Sequence, residues 1–159
     1  MIRATARRAT EADLDFILAT ERLPGYEKTV GRFEEAQHRL NLASPEWIYL
    51  VSEGCGLAIL QDVENPNGNV QLRRFIVTET GSGLGSALLP VILGYTFQNT
   101  TAHRIWLRVV AGNDAALRLY EKCGFSREGV EREAGKRPDG DRFDFITMSI
   151  LKSEWDARS

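Results

Sequence analysis

Asn113-Asp114-Ala115-Ala116-Leu117-Arg118-Leu119-Tyr120-Glu121-Lys122-Cys123-Gly124-Phe125 is the stretch on which the reading of this chain turns. Asn113 offers a side-chain oxygen to the free N–H groups of a helix start. Leu117, Leu119 and Tyr120 supply apolar contacts for an amphipathic helix that runs to about Cys123. Gly124 follows in the position where a positive φ costs least, so the helix ends there. Arg104 to Val110 (RIWLRVV) reads as a strand before it, and another strand starts at Phe125. On the residues alone, Asn113 is accounted for as a cap and Leu117, Leu119 and Tyr120 as core.

Upstream, Gly81-Ser82-Gly83-Leu84-Gly85 leads from the strand Val70 to Thr78 (VQLRRFIVT) into an apolar helical run from Ser86 to Phe97. Pro90 fits that helix only near its first turn. Backbone N–H groups in a glycine loop at the positive end of a helix dipole make a pyrophosphate cradle, although glycines before a helix are as often only a turn. A Walker loop is excluded because Ser86 and Ala87, not Lys-Ser/Thr, follow Gly85. A dinucleotide fingerprint beginning at Gly81 needs Gly or Ala where Ser86 stands, and it belongs in the first βαβ unit of a parallel sheet.

The first half reads as Ile2 to Ala9 in a strand, then a helix capped by Thr10 with Asp13 as its capping-box partner. Leu14, Ile17 and Leu18 give that helix its apolar stripe, and Leu23-Pro24-Gly25 breaks it. Phe33, Ala36 and Leu40 predict a second helix from about Val30 to Leu42. Trp47 to Ser52 and Gly56 to Asp62 form a hairpin, and Asn65 to Asn69 a turn. Pro138-Asp139-Gly140-Asp141 turns a last hairpin whose second strand, FDFITMSIL, is the clearer. The expected fold is a single domain over 1–159, mixed α/β, antiparallel early and crossing over through helices late.

Composition narrows the function. A hydrophobic share of 43% and a charged share of 26% are those of a folded soluble domain. A net charge of −2 gives no field to draw nucleic acid. No apolar run is long enough to span a membrane and the start lacks a signal-peptide core, so a cytoplasmic location is expected. Cys55 and Cys123, with His38 and His103, suggest neither a disulfide framework nor a metal site. Cys123 is expected as a core filler, and the two histidines at the surface or at strand ends.

The glycine loop, then a strand, then N-x-x-A-x-x-L-Y-E-K-x-G-F about 30 residues on, the length of one βαβ unit, closely resembles the GNAT superfamily of N-acetyltransferases. The resemblance covers Val70 to Leu151 and extends less surely over the first half. It implies a central, mostly antiparallel mixed sheet with helices on both faces, splayed between the strands ending near Val77 and Val110. It implies acetyl-CoA as cosubstrate, with no metal, and direct transfer to a primary amine of a small molecule or protein N-terminus. Backbone groups of Phe75, Ile76 and Val77 would hold the pantetheine arm and, through N–H groups near Ile76 and Val77, polarise the thioester carbonyl. The amides of Gly81, Ser82, Gly83, Leu84, Gly85 and Ser86 would hold the pyrophosphate, and Asn113 would touch the cofactor. Tyr120 would give a proton or hydrogen bond to the departing thiolate.

The tail, from Arg132-Glu133-Ala134 to Ile150-Leu151, is similar to the branch that holds ribosomal-protein N-terminal, polyamine and amino-acid acetyltransferases. A dimer is a family expectation. Acidic residues Glu131, Glu133, Asp139, Asp141 and Asp144 could draw a cationic amine or simply be solvated. The chain departs from the pattern in two places. Thr80 stands where Gln or Arg usually opens the loop, and Gln71, which cannot be a base, takes the usual glutamate position. Glu79, Glu46 and Glu133 are the remaining base candidates. These departures favour the competing reading, a non-catalytic acyl-CoA sensor or interaction module, while Tyr120 in its full motif argues for the enzyme.

Overall fold

The structure, a computed structural model, describes residues 2–158. In chain order it contains β1 (Arg7–Arg8), α1 (Leu14–Glu21), α2 (Glu35–Ala43), β2 (Trp47–Ser52), β3 (Gly56–Gln61), β4 (Asn69–Val77) and α3 (Leu84–Asn99). There follow β5 (Arg104–Val110), α4 (Asp114–Lys122), β6 (Ser126–Lys136), β7 (Arg142–Leu151) and α5 (Lys152–Arg158). The strands form one sheet in the order β1-β2-β3-β4-β5-β7-β6. Every neighbouring pair is antiparallel except β4 and β5, which α3 joins by a parallel crossover.

That parallel pair is short. It matches Asn69, Val70 and Gln71 with Arg104, Ile105 and Trp106, and no further. Beyond Gln71 the two strands part, so Leu72–Val77 of β4 and Leu107–Val110 of β5 face a wedge between them. β5 continues alongside β7 to Val110↔Phe145 while β4 stays with β3 to Val77↔Gly56. The expected splay is there.

Helices cover both faces. Leu88, Leu89, Ile92 and Leu93 of α3, each at most 1% exposed, pack with Leu117 of α4 on Leu50, Leu60, Leu72, Ile105, Leu107 and Met148. Each such buried side chain stabilises the fold by roughly 1.5–3 kcal/mol before entropy. On the other face Ile17 of α1 packs on Tyr49, Val51, Leu57 and Ile59.

Several boundaries differ from expectation. The capping box forms, with Asp13 Oδ2 accepting from Thr10 N–H at 2.8 Å and Thr10 Oγ1 from Ala12 N–H at 3.3 Å. The first strand, however, is reduced to Arg7–Arg8, since only this stretch pairs with β2. The second helix starts at Glu35 rather than Val30, because Phe33 is held outside it, between Trp47 and the Arg73 and Arg74 guanidiniums. Pro90 lies inside α3 rather than in its first turn: the helix begins two residues earlier than expected, at Leu84. Packing of the buried α3 face outweighs the missing N–H to Ser86 C=O, a loss of about 3 kcal/mol in an isolated helix. α5, unmarked in the sequence, docks Trp155 in a stacked contact on Phe97.

Candidate active site

The glycine loop sits at the mouth of the wedge. Gly81 and Gly83 have φ of 72° and 88°, left-handed values that the loop needs to turn from β4 into α3. Gly83 is the cap residue of α3, and the first helical bond is Ala87 N–H to Gly83 C=O at 3.1 Å. The N–H groups of Leu84, Gly85 and Ser86 are therefore left over at the positive helix end for an external acceptor. Gly85 is needed for another reason: an added Cβ would lie 3.1 Å from Leu119 and 3.9 Å from Phe75. Its bareness lets α4 and β4 close on the loop. Lys122 Nζ reaches Ser86 Oγ at 3.4 Å from the end of α4.

Asn113 caps α4, its Oδ1 accepting from Ala116 N–H at 3.4 Å. That leaves its NH₂ as a donor for a ligand. Tyr120 is partly buried, its ring edge-on to Phe75 at 6.5 Å and to Phe125 at 5.5 Å. Among the described residues its hydroxyl has no hydrogen-bond partner, so it is available to a molecule in the wedge. Burial, then Cys123, then Tyr26 raise the Tyr120 phenol above its ordinary range, so it stays protonated and keeps a proton to donate. Burial also raises the Cys123 thiol, which lies in the core as expected and is no nucleophile.

The register shows which β4 groups face the wedge. Thr78 N–H bonds to Cys55 C=O at 2.8 Å, and the ladder continues as Val77↔Gly56, Ile76↔Leu57, Phe75↔Ala58. In an antiparallel ladder successive residues alternate sides, so Thr78 and Ile76 point their peptide groups at β3 while Val77 and Phe75 point theirs at the wedge. The expectation that Ile76 lends its N–H is thus corrected: Phe75 and Val77 can, and Ile76 contributes a buried side chain. Sequence had also not shown a bulge. Ile59 pairs with Arg74 but Leu60 pairs with Leu72, which leaves Arg73 as the extra residue on β4, next to where the strands part.

None of the expected bases stands in the wedge. Glu79 is exposed in the turn beyond β4, where its carbonyl accepts from Ser82 Oγ. Glu46 is exposed at the start of β2, at the end of the sheet where β4 begins. Glu133, at φ 49° on edge strand β6, donates its N–H to Asp144 at 2.7 Å. Gln71 is buried at the last parallel pair, its amide at the apex.

The other face of the wedge was not foreseen. His38, expected near the surface, is fully buried: its Nε2 lies 2.6 Å from Glu21 Oε1 and its Nδ1 2.7 Å from Tyr49 Oη, which also accepts from Asn41. Arg74 Nε lies 3.3 Å from Glu21 Oε2. Around this cluster runs the segment 22–34, tied by Phe33 N–H to Glu21, Arg22 to Phe33 C=O and Arg74 to Gly31 C=O. From its middle, Tyr26 Oη donates to Val77 C=O at 2.8 Å, in the wedge itself. No spacing or motif marks Tyr26. A surface depression lined by Pro45, Val63, Asn99 and Thr101 lies at the far end of the sheet and shares no residue with the wedge.

Free amides at a helix start, an open strand edge leading away from them and an unpartnered phenol fit a long, phosphorylated, amide-bearing thioester. Comparison decides the family, for residues 3–126 match the family described as acetyltransferase (GNAT) domain. The chain belongs to the GNAT acetyltransferases. It is an N-acetyltransferase that takes its acetyl group from acetyl-CoA. Among its relatives, the spermine/spermidine N(1)-acetyltransferase of Bacillus subtilis (strain 168) is 29% identical over 135 residues, 80% of this chain and 88% of that one. The spermidine N(1)-acetyltransferase of Vibrio cholerae is 33% identical over 75 residues, 46% of this chain and 43% of the other. The crystal structure of spermidine N-acetyltransferase from Vibrio cholerae in complex with CoA and spermine superposes with a TM-score of 0.83 at 24% identity, over 96% of this chain and 98% of that one, a likeness of fold. No helix among the described residues is long and apolar enough to cross a membrane.

Proposed function

We propose that this N-acetyltransferase acts as a single domain in the cytoplasm and acetylates a primary amine of a polyamine-type small molecule. The pyrophosphate lies on the Gly81 to Ser86 amides, with Asn113 as a further donor. The pantetheine arm runs along the Phe75 and Val77 edge, and Tyr120 stands at the sulfur. The observation that carries this is the free β4 edge, which leads from the glycine loop to an unpartnered phenol.

The chemistry follows from those groups. Nitrogen attack forms the C–N bond as the C–S bond breaks, and charge gathers first on the carbonyl oxygen, where the Phe75 N–H can receive it. The leaving sulfur takes a proton from Tyr120 Oη, which burial keeps protonated, and the tyrosinate regains a proton from the water that receives the amine's surplus one. The attacking amine arrives as its neutral fraction and gives its surplus proton to water, since Gln71 can only hydrogen-bond. A polyamine acceptor is supported by the two relatives and by the acidic β6–β7 hairpin, which carries Glu133, Asp139, Asp141 and Asp144.

One observation favours a second acceptor. Arg73 projects from the bulge at the apex with Gln61 as its hydrogen-bond partner and Arg108 nearby; burial, then Arg108, lower its pKa. A half-buried cation in that place suits an amine that also carries a carboxylate. The test offers acetyl-CoA with spermidine, spermine, a set of amino acids and a set of peptide N-termini, reading free CoA thiol and product mass. Acetylated polyamine is the expected product. Transfer to amino acids alone would exchange the first acceptor for the second, and acetyl-CoA binding with no transfer to any amine would defeat both.

A further inference from the structure

Residues 22–34 are held at their ends far more firmly than at their middle. At one end are Glu21, Arg22 and Leu23; at the other Gly31 and Phe33, which is clasped by Arg74 at 4.7 Å and Arg73 at 5.1 Å from its ring centroid. Between them a turn places Thr29 and Val30 N–H on Tyr26 C=O, so the tyrosine backbone is fixed to the strap itself. Its side chain leaves the strap for Val77 C=O on β4. By the alternation of the β3–β4 ladder, this carbonyl is one of the acceptors that β4 turns to the wedge. Burial raises the Tyr26 phenol, and the same phenol adds to the raising of Tyr120. The strap and α4 thus each bring a tyrosine to the wedge.

We propose that Tyr26 is a positioning residue that holds the place of an amide N–H of acetyl-CoA on Val77 C=O, so that cofactor entry breaks the Tyr26–Val77 bond and frees the middle of the strap. This rests on acetyl-CoA lying along β4. An extended amide chain on that edge needs the Val77 acceptor, and the partly buried Tyr26 ring occupies the space in front of it. Binding is weakened by the bond it must break. The strap ends stay in place because their hydrogen bonds run to Glu21, Arg22 and Arg74 side chains and not to the free backbone edge of β4, and the released segment is free to adjust to the amine entering beside it.

The test compares Tyr26→Phe with wild type by calorimetric titration of acetyl-CoA and of CoA, by kcat and KM, and by backbone hydrogen exchange of wild type with and without CoA. Loss of the hydroxyl removes the competitor, so Kd for acetyl-CoA falls about two- to tenfold, the span of one net hydrogen bond. KM for acetyl-CoA falls together with Kd, because the Tyr26–Val77 bond no longer has to be broken on binding. CoA should raise exchange at residues 25–30 while leaving Glu21 and Phe33 protected. An unchanged or weaker Kd in Tyr26→Phe overturns the proposal, as does CoA-induced protection of 25–30. If wild type fails to bind acetyl-CoA at all, the cofactor placement itself falls; normal wild-type binding with an unresponsive Tyr26→Phe removes the strap proposal alone.

Discussion

The wedge has two walls made by different means. The wall from Gly81 through α3 and α4 is built from main-chain groups: cap residues, left-handed glycines and a helix start whose amides are free. The opposite wall, the strap and the cluster beneath it, is built from long-range side-chain pairs, Glu21 with His38 and Arg74, and Phe33 with two arginines. A cosubstrate shared by a whole family suits the first kind, since backbone amides tolerate changes in side chain. Selection of one acceptor suits the second, where one substitution alters charge and shape together.

The sharpest break of this contrast is Tyr120→Phe, the one place where the main-chain wall depends on a side chain for chemistry. It should lower kcat by about 10²–10⁴-fold, the usual worth of a positioned proton donor, with Kd for acetyl-CoA nearly unchanged. Steady-state rates with spermidine and a direct titration of acetyl-CoA measure the two separately. Unchanged turnover would take Tyr120 out of the reaction.

On the other wall, Glu21→Ala should cost about 3–5 kcal/mol of stability, because it leaves the buried Arg74 guanidinium without its carboxylate. Glu21 is 1% exposed and its Oε1 also accepts from Phe33 N–H. Urea unfolding reads this, and a loss below 1 kcal/mol would mean that water or a rearranged strap replaces the pair. Tyr49 gives the cluster a pH signature. Burial raises its phenol to about 12 from an ordinary 10. A raised folded pKa means stability that is complete below pH 10 and lost as pH climbs toward 12, roughly 3 kcal/mol in all. Tyr49→Phe, less stable at neutral pH, should lack that part of the alkaline slope.

The two walls also differ in how far a sequence can disclose them. Asn113, Gly124 and the Thr10–Asp13 box act on backbone a few residues away, so their spacing alone predicts their role. The splay and the glycine loop came with a motif whose members lie within one βαβ unit. Glu21, His38 and Arg74 lie far apart in the chain, and nothing in a lone His on a helix says that a carboxylate 17 residues away will meet it. The Arg73 bulge is a matter of pairing with β3, invisible in β4 read by itself, and it put two successive arginines on the apex where simple alternation would have separated them. Pro90 lies deeper in α3 than its propensity predicts because the apolar packing of that helix overrides it.

The smallest effect expected is also the one that best separates local structure from ligand binding. Asn113→Ala removes the Oδ1 bond to Ala116 N–H and should cost about 1 kcal/mol of stability. Asn113→Asp keeps the cap oxygen and adds a negative charge favourable to the helix start, so stability should be retained or slightly improved. The same change removes the side-chain NH₂ that we propose reaches the cofactor and would place a carboxylate beside its phosphates, so acetyl-CoA should bind several-fold more weakly. Stability and affinity then move apart in one variant. If Asn113→Asp binds acetyl-CoA like wild type, the residue is a cap and nothing else, and cofactor recognition on this wall lies with the main chain alone.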